Sequence, residues 1–470
     1  MIRILLLLLL SGLATTRLQA QNPANITGDW NGSLQVMGTE FPLVFHISTN
    51  EDGSYIATMD SPKQSAKGIP VQRVILTADS VFLDLKAVGG SYTGRLTNAK
   101  TMEGHWKQSG QSLPMQLTRG AAPETVRHPQ EPKPPFPYQN TDVRVENKAA
   151  GITLAGTLTL PNSKGPHPAV LLLTGSGPQD RDETILGHKP FLVLADHLTR
   201  QGFAVLRLDD RGVGESGGDF ATATTSDFAT DAEAAYTYLQ HHQSINKKKV
   251  GLLGHSEGAL VAAQVAAKHP EAAFVVLMAG NAVPGTDLLL AQNEALLKNA
   301  GLPQELSQKY LSLREAQFKV AATTQDITQA ANQIGELEQQ AKATLTPQQQ
   351  QQLGLTDNAR QTLIAQLSSP WMRYFLAYNP APTLQKLKMP VLAINGTKDL
   401  QVPHSQNLSA TEKALKAGGN KKYTIKALPN LNHFFQTATT GSPAEYAQLE
   451  ETLSPIALET IAEWMKGVVK

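Results

Sequence analysis

Five short apolar runs, interrupted only by Arg207, constrain this chain more than any other feature: residues 169–173, 204–208, 250–253, 274–278 and 391–394. Helical stretches lie between most of them, at 191–201, 226–241 and 259–268. A strand with one solvated face alternates apolar and polar side chains, whereas one covered on both faces reads as a continuous apolar run. Such runs alternating with helices predict a mostly parallel sheet with helices on both faces, an α/β fold beginning near residue 141. Residues 143–146 and 152–160 predict an antiparallel hairpin leading into that sheet.

The alternation breaks between about 281 and 380, where Ala, Gln, Leu and Glu dominate and the runs 339–340 and 348–352 are all glutamine. Periodic leucines among good helix formers predict amphipathic helices there rather than disorder. A long insertion of this kind usually covers the face where ligands bind, so it is expected to act as a cap. The alternative is a helical decoration with no part in binding.

Ahead of the sheet the pattern is different. Residues 21–120 carry short alternating runs punctuated by turn residues such as Gly53 and Gly89-Gly90, which predicts a small all-β domain, a barrel or sandwich. Gly28-Asp-Trp-Asn-Gly32 and Gly104-His-Trp106 resemble the first and last strands of lipocalin-like barrels. Trp30 and Trp106 fit equally well as ordinary core aromatics. Residues 121–140, with prolines at 123, 129, 132, 134, 135 and 137, read as a semi-rigid linker. Residues 1–20 combine Arg3, an apolar core at 4–10 and Leu18-Gln-Ala20, the pattern of a cleaved signal peptide, so the protein is expected to be secreted or periplasmic.

Composition excludes several classes of function. The absence of cysteine removes disulfides, thiol catalysis and cysteine metal sites. With 41 basic and 40 acidic residues, nothing in the charge favours nucleic acid or an anionic membrane. Beyond residue 20 no segment is apolar over the ~20 residues needed to span a bilayer.

The chemistry concentrates at Gly254-His-Ser-Glu-Gly258, between an apolar strand and a helix. G-x-S-x-G in that setting is a nucleophile elbow, a sharp turn that presents the Ser256 hydroxyl. A serine needs a positioned base, and in this fold the acid and the histidine follow later strands in the order Ser, Asp, His. Asp399, after the run at 391–394, and His433, after a strand at 423–428, satisfy that order. Ser256 is therefore the expected nucleophile, His433 the general base and Asp399 its orienter. Asp326 and Asp357 are rival acids, but neither follows a strand. His404 lies too close to Asp399 to serve as the separate base, and His241-His242 sit at a helix end. An oxyanion hole requires two backbone N–H groups, expected from Glu257 and from Ser176, with Gly177 next in line. Asp180, Arg181 and Asp182 suit an internal ion-pair network better than a polar substrate. Trp371, Tyr374 and Phe375 are candidate pocket-lining residues of the cap, although core packing is the commoner fate of such aromatics.

The strings LLLTGSGPQDRD, LRLDDRGVGESGG, GLLGHSEGAL, INGTKDLQV and LPNLNHFF resemble the α/β-hydrolase superfamily. More closely they resemble secreted serine carboxylesterases of the EstD-like, serine-aminopeptidase-like (S33-type) group, some with an extra N-terminal β domain. The resemblance covers about residues 141–470. It implies cofactor-free, metal-free hydrolysis of a small-molecule ester, with short acyl chains, through an acyl-enzyme. The chain departs from the group at Thr174, where many members carry histidine. Two alternatives stay open. One is a peptidase of the same fold, for which Glu294, Glu315, Glu336 and Glu338 offer terminal anchors. The other is an envelope protein whose β domain contacts glycan or lipid.

Overall fold

The computed structural model describes residues 25–36, 39–62, 66–108, 111–120 and 126–470. The predicted signal peptide, 1–20, and the first residues of the predicted linker lie outside them. The chain divides into two compact units at Thr125/Val126.

The first unit is all-β: β1 (Gly28–Val36), β2 (Thr39–Thr49), β3 (Tyr55–Ser61), β4 (Ala66–Val71), β5 (Arg73–Thr77), β6 (Ser80–Leu85), β7 (Gly90–Asn98), β8 (Thr101–Gln108) and β9 (Gln111–Arg119). They form one antiparallel sheet in the order β4-β3-β2-β1-β9-β8-β7-β6-β5. Its two edge strands, β4 and β5, are joined by Gln72 alone. In a flat sheet those edges would lie roughly 38 Å apart at the usual strand spacing, so the sheet must curl until its ends nearly meet. The enclosed space is filled by side chains, among them Trp30, Phe45, Leu83, Tyr92, Met102 and Trp106. Both tryptophans are core residues: the buried Trp30 Nε1 donates to Ile26 O at 2.7 Å, and Trp106 Nε1 to Gln108 Oε1 at 3.1 Å.

In the second unit the strands are β10 (Tyr138–Asn147), β11 (Ile152–Pro161), β12 (His167–Leu173), β13 (Ala204–Leu208), β14 (Ile245–His255), β15 (Val275–Met278), β16 (Val391–Gly396) and β17 (Tyr423–Leu428). Their spatial order is β10-β11-β13-β12-β14-β15-β16-β17. β10 and β11 form the expected antiparallel hairpin; β11 meets β13 antiparallel, and the rest of the sheet is parallel. β14 starts earlier than its apolar run suggests. Pairing of His167 with Ile245 carries the strand through Lys247–Lys249, whose side chains stand at the solvated end of the sheet.

The helices are α1 (Pro190–Arg200), α2 (Thr225–His241), α3 (Glu257–Lys268), α4 (Gly285–Asn299), α5 (Gln304–Thr323), α6 (Ile327–Ala343), α7 (Pro347–Gln352), α8 (Asp357–Ser368), α9 (Pro370–Ala377), α10 (Ala381–Leu384), α11 (His404–Ala417) and α12 (Pro455–Val469). Successive strand side chains point to opposite faces. Ala169, Leu171, Leu252 and Val275 pack with α2, α3 and α11. Val170, Leu172, Leu253 and Val276 pack with Phe191, Leu194 and Leu198 of α1 and Leu458, Ile461 and Met465 of α12. Two-sided cover is thus the reason these strands read as unbroken apolar runs.

Helices α4–α9 fill the interruption between β15 and β16. The glutamine run is α7: its N-terminus is capped by Thr346, whose Oγ1 accepts the Gln349 N–H at 3.2 Å while Gln349 Oε1 accepts the Thr346 N–H at 3.0 Å. The cap has its own core, including Leu288, Phe318, Ile334, Leu367, Met372 and Phe375, joined by Leu260 of α3 and Val402 after β16. The later part of the proline-rich segment belongs to the second unit. Gln130 Nε2 donates to Leu453 O at 2.6 Å, and its Oε1 accepts the Thr452 N–H at 2.6 Å.

Candidate active site

Strand order locates the site before any motif is consulted. From β12 the chain runs to β13 on one side and then to β14 on the other, so the crossover direction reverses between β12 and β14. Ligands of open α/β sheets bind beyond the carboxyl ends of strands at such a switch point. The loop leaving β12 carries Thr174–Glu183, and the turn leaving β14 carries Ser256.

Ser256 holds φ +53° and ψ −118°, a conformation rare for a residue with a side chain. Its N–H is bound to Met278 O at 2.8 Å, and its carbonyl accepts the Ala259 N–H at 3.1 Å, which starts α3. The flanking glycines are dictated by contact. A Cβ on Gly254 would stand 2.0 Å from Gly258 O, and one on Gly258 would stand 2.1 Å from Leu173 O. Such packing brings the β12 loop against the elbow, so that a Cβ on Gly175 would lie 3.4 Å from Ser256 Cβ.

Asp399 and His433 meet beside it. His433 Nδ1 lies 2.8 Å from Asp399 Oδ2, and both side chains are buried. Asp399 Oδ1 accepts the N–H groups of Gln401 and Val402, each at 2.8 Å. A carboxylate accepts, so Nδ1 carries the proton and Nε2 of the neutral ring keeps a lone pair. Among the described residues Ser256 Oγ and His433 Nε2 form no hydrogen bond; in unliganded enzymes that contact is often long.

The oxyanion candidates converge on the same place. Glu257 is the first residue of α3, so its N–H lacks an intrahelical acceptor. In the β12 loop, the Gly175 N–H is already committed to Glu183 Oε1 at 2.7 Å. Ser176 is exposed, and Gly177 follows it at φ +95°. The loop is pinned by Asp210, which accepts from Thr174 Oγ1 at 2.7 Å and from the Gln179 N–H at 3.0 Å. Burial pushes the Asp210 carboxyl up to about 7, with the Glu257 and Glu183 carboxyls raising it further and these two donors opposing.

The Glu257 side chain is buried and accepts from Thr225 Oγ1 at 2.6 Å and Trp371 Nε1 at 2.8 Å. Burial raises its carboxyl above the ordinary glutamate range despite these donors. α9 presents Trp371, which stacks on Phe375 at 5.5 Å, and Tyr374, which stacks on Tyr378 at 5.6 Å. Ser369 caps this helix by accepting the Met372 N–H at 3.2 Å, and Pro370 opens it. Phe375 is buried in the cap core, while Trp371 reaches Glu257, the residue after Ser256.

The rival residues fall elsewhere. Asp326 caps α6, Asp357 opens α8 beside Arg360 and Lys342, and His404 opens α11. His241 is exposed, its Nδ1 bound to Thr237 O. Glu338 is buried and paired with Lys342, whereas Glu294 and Glu315 line one groove of the cap with Asp287. Arg181 pairs with Asp209 and Asp142, and Arg207 with Asp182, so the 180–182 charges form an internal network. Two further carboxylates stand at the site, the buried Glu183 and the half-buried Asp210, and no sequence pattern assigns either a role there.

The profile of the serine aminopeptidase S33 family matches residues 189–437, more than half of the chain and all of the segment from α1 to His433. The chain belongs to that family. This S33 member has the α/β-hydrolase fold in its second unit. Esterase EstD of Thermotoga maritima is 26% identical over 336 residues, spanning 70% of this chain and 68% of that protein. Among solved structures, an esterase of Pyrococcus furiosus is 15% identical, with a TM-score of 0.41 over 74% of this chain and 100% of that one. Est1E of Butyrivibrio proteoclasticus, solved with ferulic acid, is 15% identical, with a TM-score of 0.41 over 70% of this chain and 99% of that one. Among the described residues no helix is long and apolar enough to cross a membrane.

Proposed function

We propose that this S33-family protein is an exported serine hydrolase that cleaves small carboxylic esters with short acyl groups. The observation that carries the reading is the buried His433 Nδ1–Asp399 Oδ2 bond of 2.8 Å on the same sheet edge as Ser256 in its strained elbow. Ser256 Oγ attacks the ester carbonyl as His433 Nε2 takes its proton, and Asp399 stabilises the imidazolium that results. The N–H groups of Glu257 and Ser176 receive the developing oxyanion. His433 then protonates the departing alcohol. Water, deprotonated by the same ring, releases the acid from Ser256. Similarity to Esterase EstD supports ester over amide, and the apolar run at residues 4–10 supports export.

A peptidase reading has one observation behind it: Glu294 and Glu315 line a common groove of the cap with Asp287, where an amino terminus would find negative charge. One assay separates the two. Purified protein is given p-nitrophenyl esters of graded chain length and aminoacyl p-nitroanilides, with Ser256→Ala as control. The proposal expects turnover of short esters that disappears in Ser256→Ala. Faster anilide than ester cleavage moves the assignment to a peptidase, and ester turnover surviving in Ser256→Ala rejects the mechanism.

A further inference from the structure

His255 adjoins Ser256 in the chain, yet the proposed reaction gives it no task. Its ring is buried with both nitrogens occupied: Nδ1 lies 2.9 Å from Glu183 Oε1, and Nε2 lies 3.0 Å from the carbonyl oxygen of His433. A carbonyl oxygen only accepts, so Nε2 carries a proton. Glu183 Oε1 also takes the Gly175 N–H at 2.7 Å, which marks it as an acceptor and places a second proton on Nδ1. A ring protonated at both nitrogens is an imidazolium facing a carboxylate, with side-chain exposures of 4% and 2%. Either charge alone would be costly at that depth, and together they are compensated and hydrogen-bonded.

A separate observation concerns the backbone. Glu183 sits at φ +54°, in the left-handed region that a glutamate seldom adopts. Such strain persists only where surrounding contacts enforce it. Here the carboxyl reaches two elements at once, the Gly175 amide in its own loop and the His255 ring at the end of β14.

We propose that Glu183 and His255 form a buried ion pair that positions the reaction centre, holding the oxyanion loop through the Gly175 N–H and the general-base loop through the His433 carbonyl. The proposal rests on the reading of Ser256 as nucleophile and His433 as base. Neither member touches substrate; both are positioning residues. The other groups facing His255 are the His433 ring at 4.8 Å, Phe434 at 5.3 Å and Phe435 at 6.3 Å, with the Asp399 charge beyond His433. Asp210 lies near Glu183. Burial alone would strip the His255 proton, but the Glu183 charge and hydrogen bond, with the His433 carbonyl and Asp399, outweigh it and raise the imidazole above its usual range. Removing the Glu183 charge leaves burial dominant, so the ring becomes neutral at lower pH.

Two measurements on the full chain test this. In protein labelled with 15N-histidine, the His255 ring signals, assigned by their loss in His255→Asn, are expected to keep both nitrogens protonated to a higher pH than an ordinary histidine (pKa about 6.5). In parallel, Glu183→Gln and Ser256→Ala are assayed on p-nitrophenyl butyrate from pH 6 to 10. Glu183→Gln is expected to lose about 10²-fold in kcat, the scale of an impaired oxyanion hole. Its KM should stay within about threefold, and the alkaline fall of its pH profile should begin at lower pH than in the parent. A His255 ring that becomes neutral at or below the ordinary histidine range, or parental kcat and pH profile in Glu183→Gln, overturns the proposal. Full activity in Ser256→Ala instead overturns the nucleophile assignment, and the 15N measurement, which needs no turnover, still decides the ion pair.

Discussion

Trp371 Nε1 donates a 2.8 Å hydrogen bond to Glu257 Oε1, so the cap is fastened to the residue that follows Ser256. The same carboxyl receives Thr225 Oγ1 from the start of α2 at 2.6 Å. Cap, α2 and elbow thus share one buried acceptor. A change in the cap at this point therefore reaches the residue whose N–H is the proposed oxyanion donor.

Trp371→Phe keeps the ring stack on Phe375 and removes only the N–H. The Glu257 carboxyl, already raised by burial, loses a donor that held it down and moves further up. An unmade bond to a buried charged group costs about 1–3 kcal/mol. Urea unfolding of Trp371→Phe should show a loss on that scale, and ester assays should show a raised KM. Parental stability and KM together would make the contact incidental.

Asp399→Asn tests the proposed acid of the triad. An amide in place of the carboxylate can turn its NH2 towards His433 Nδ1, forcing the proton onto Nε2, where the lone pair is needed. The expected fall in kcat is about 10⁴-fold, the consequence of the wrong tautomer. Combining it with Ser256→Ala should add little, because residues acting as a unit are not additive. Labelling of Ser256 by a fluorophosphonate should slow in parallel. Brisk labelling with normal turnover would remove Asp399 from the triad.

What was legible in the sequence follows from which interactions are local. The parallel strands were visible because cover on both faces makes each an apolar run, as at 169–173 and 250–253. Ser256, Asp399 and His433 were visible because each directly follows a strand whose pattern could be recognised. Glu183 and Asp210 were not, although Asp210 follows β13 as closely: their meaning lies in partners 72 and 36 residues away, His255 and Thr174. The early start of β14 was hidden because Lys247–Lys249 are polar and fall where the register with β12 shifts, between the Ile245 and Val250 pairings. Near-closure of the first unit agrees with the barrel expected there, but the strand order did not show, since no run of residues records that β4 and β5 are opposite edges.

Asp210 makes stability depend on pH in a particular direction. Burial raises its carboxyl to about 7, above the roughly 3.9 of an unfolded chain. The folded state therefore favours the protonated form. That contribution is complete below the unfolded value and is lost as pH rises through about 7. Asp210→Asn carries no charge at any pH, so its melting temperature relative to the parent should climb between pH 5 and pH 8. A difference that stays flat, or falls, would mean the carboxyl is ionised throughout.

The elbow itself stores strain that can be measured by comparing two inactive proteins. Ser256→Ala removes the hydroxyl but keeps a Cβ at φ +53° and ψ −118°. Ser256→Gly removes both and relaxes a conformation that costs about 1–3 kcal/mol for a residue with a side chain. Glycine also gains about 0.5–1 kcal/mol of freedom in the unfolded chain, which offsets part of that relief. Ser256→Gly should therefore be the more stable of the two by about 1 kcal/mol in denaturant unfolding. The contacts of Gly254 and Gly258 with neighbouring backbone are unchanged in both, so the difference isolates position 256. If Ser256→Ala proved the more stable, the turn would not be strained, and presentation of the hydroxyl would need another cause.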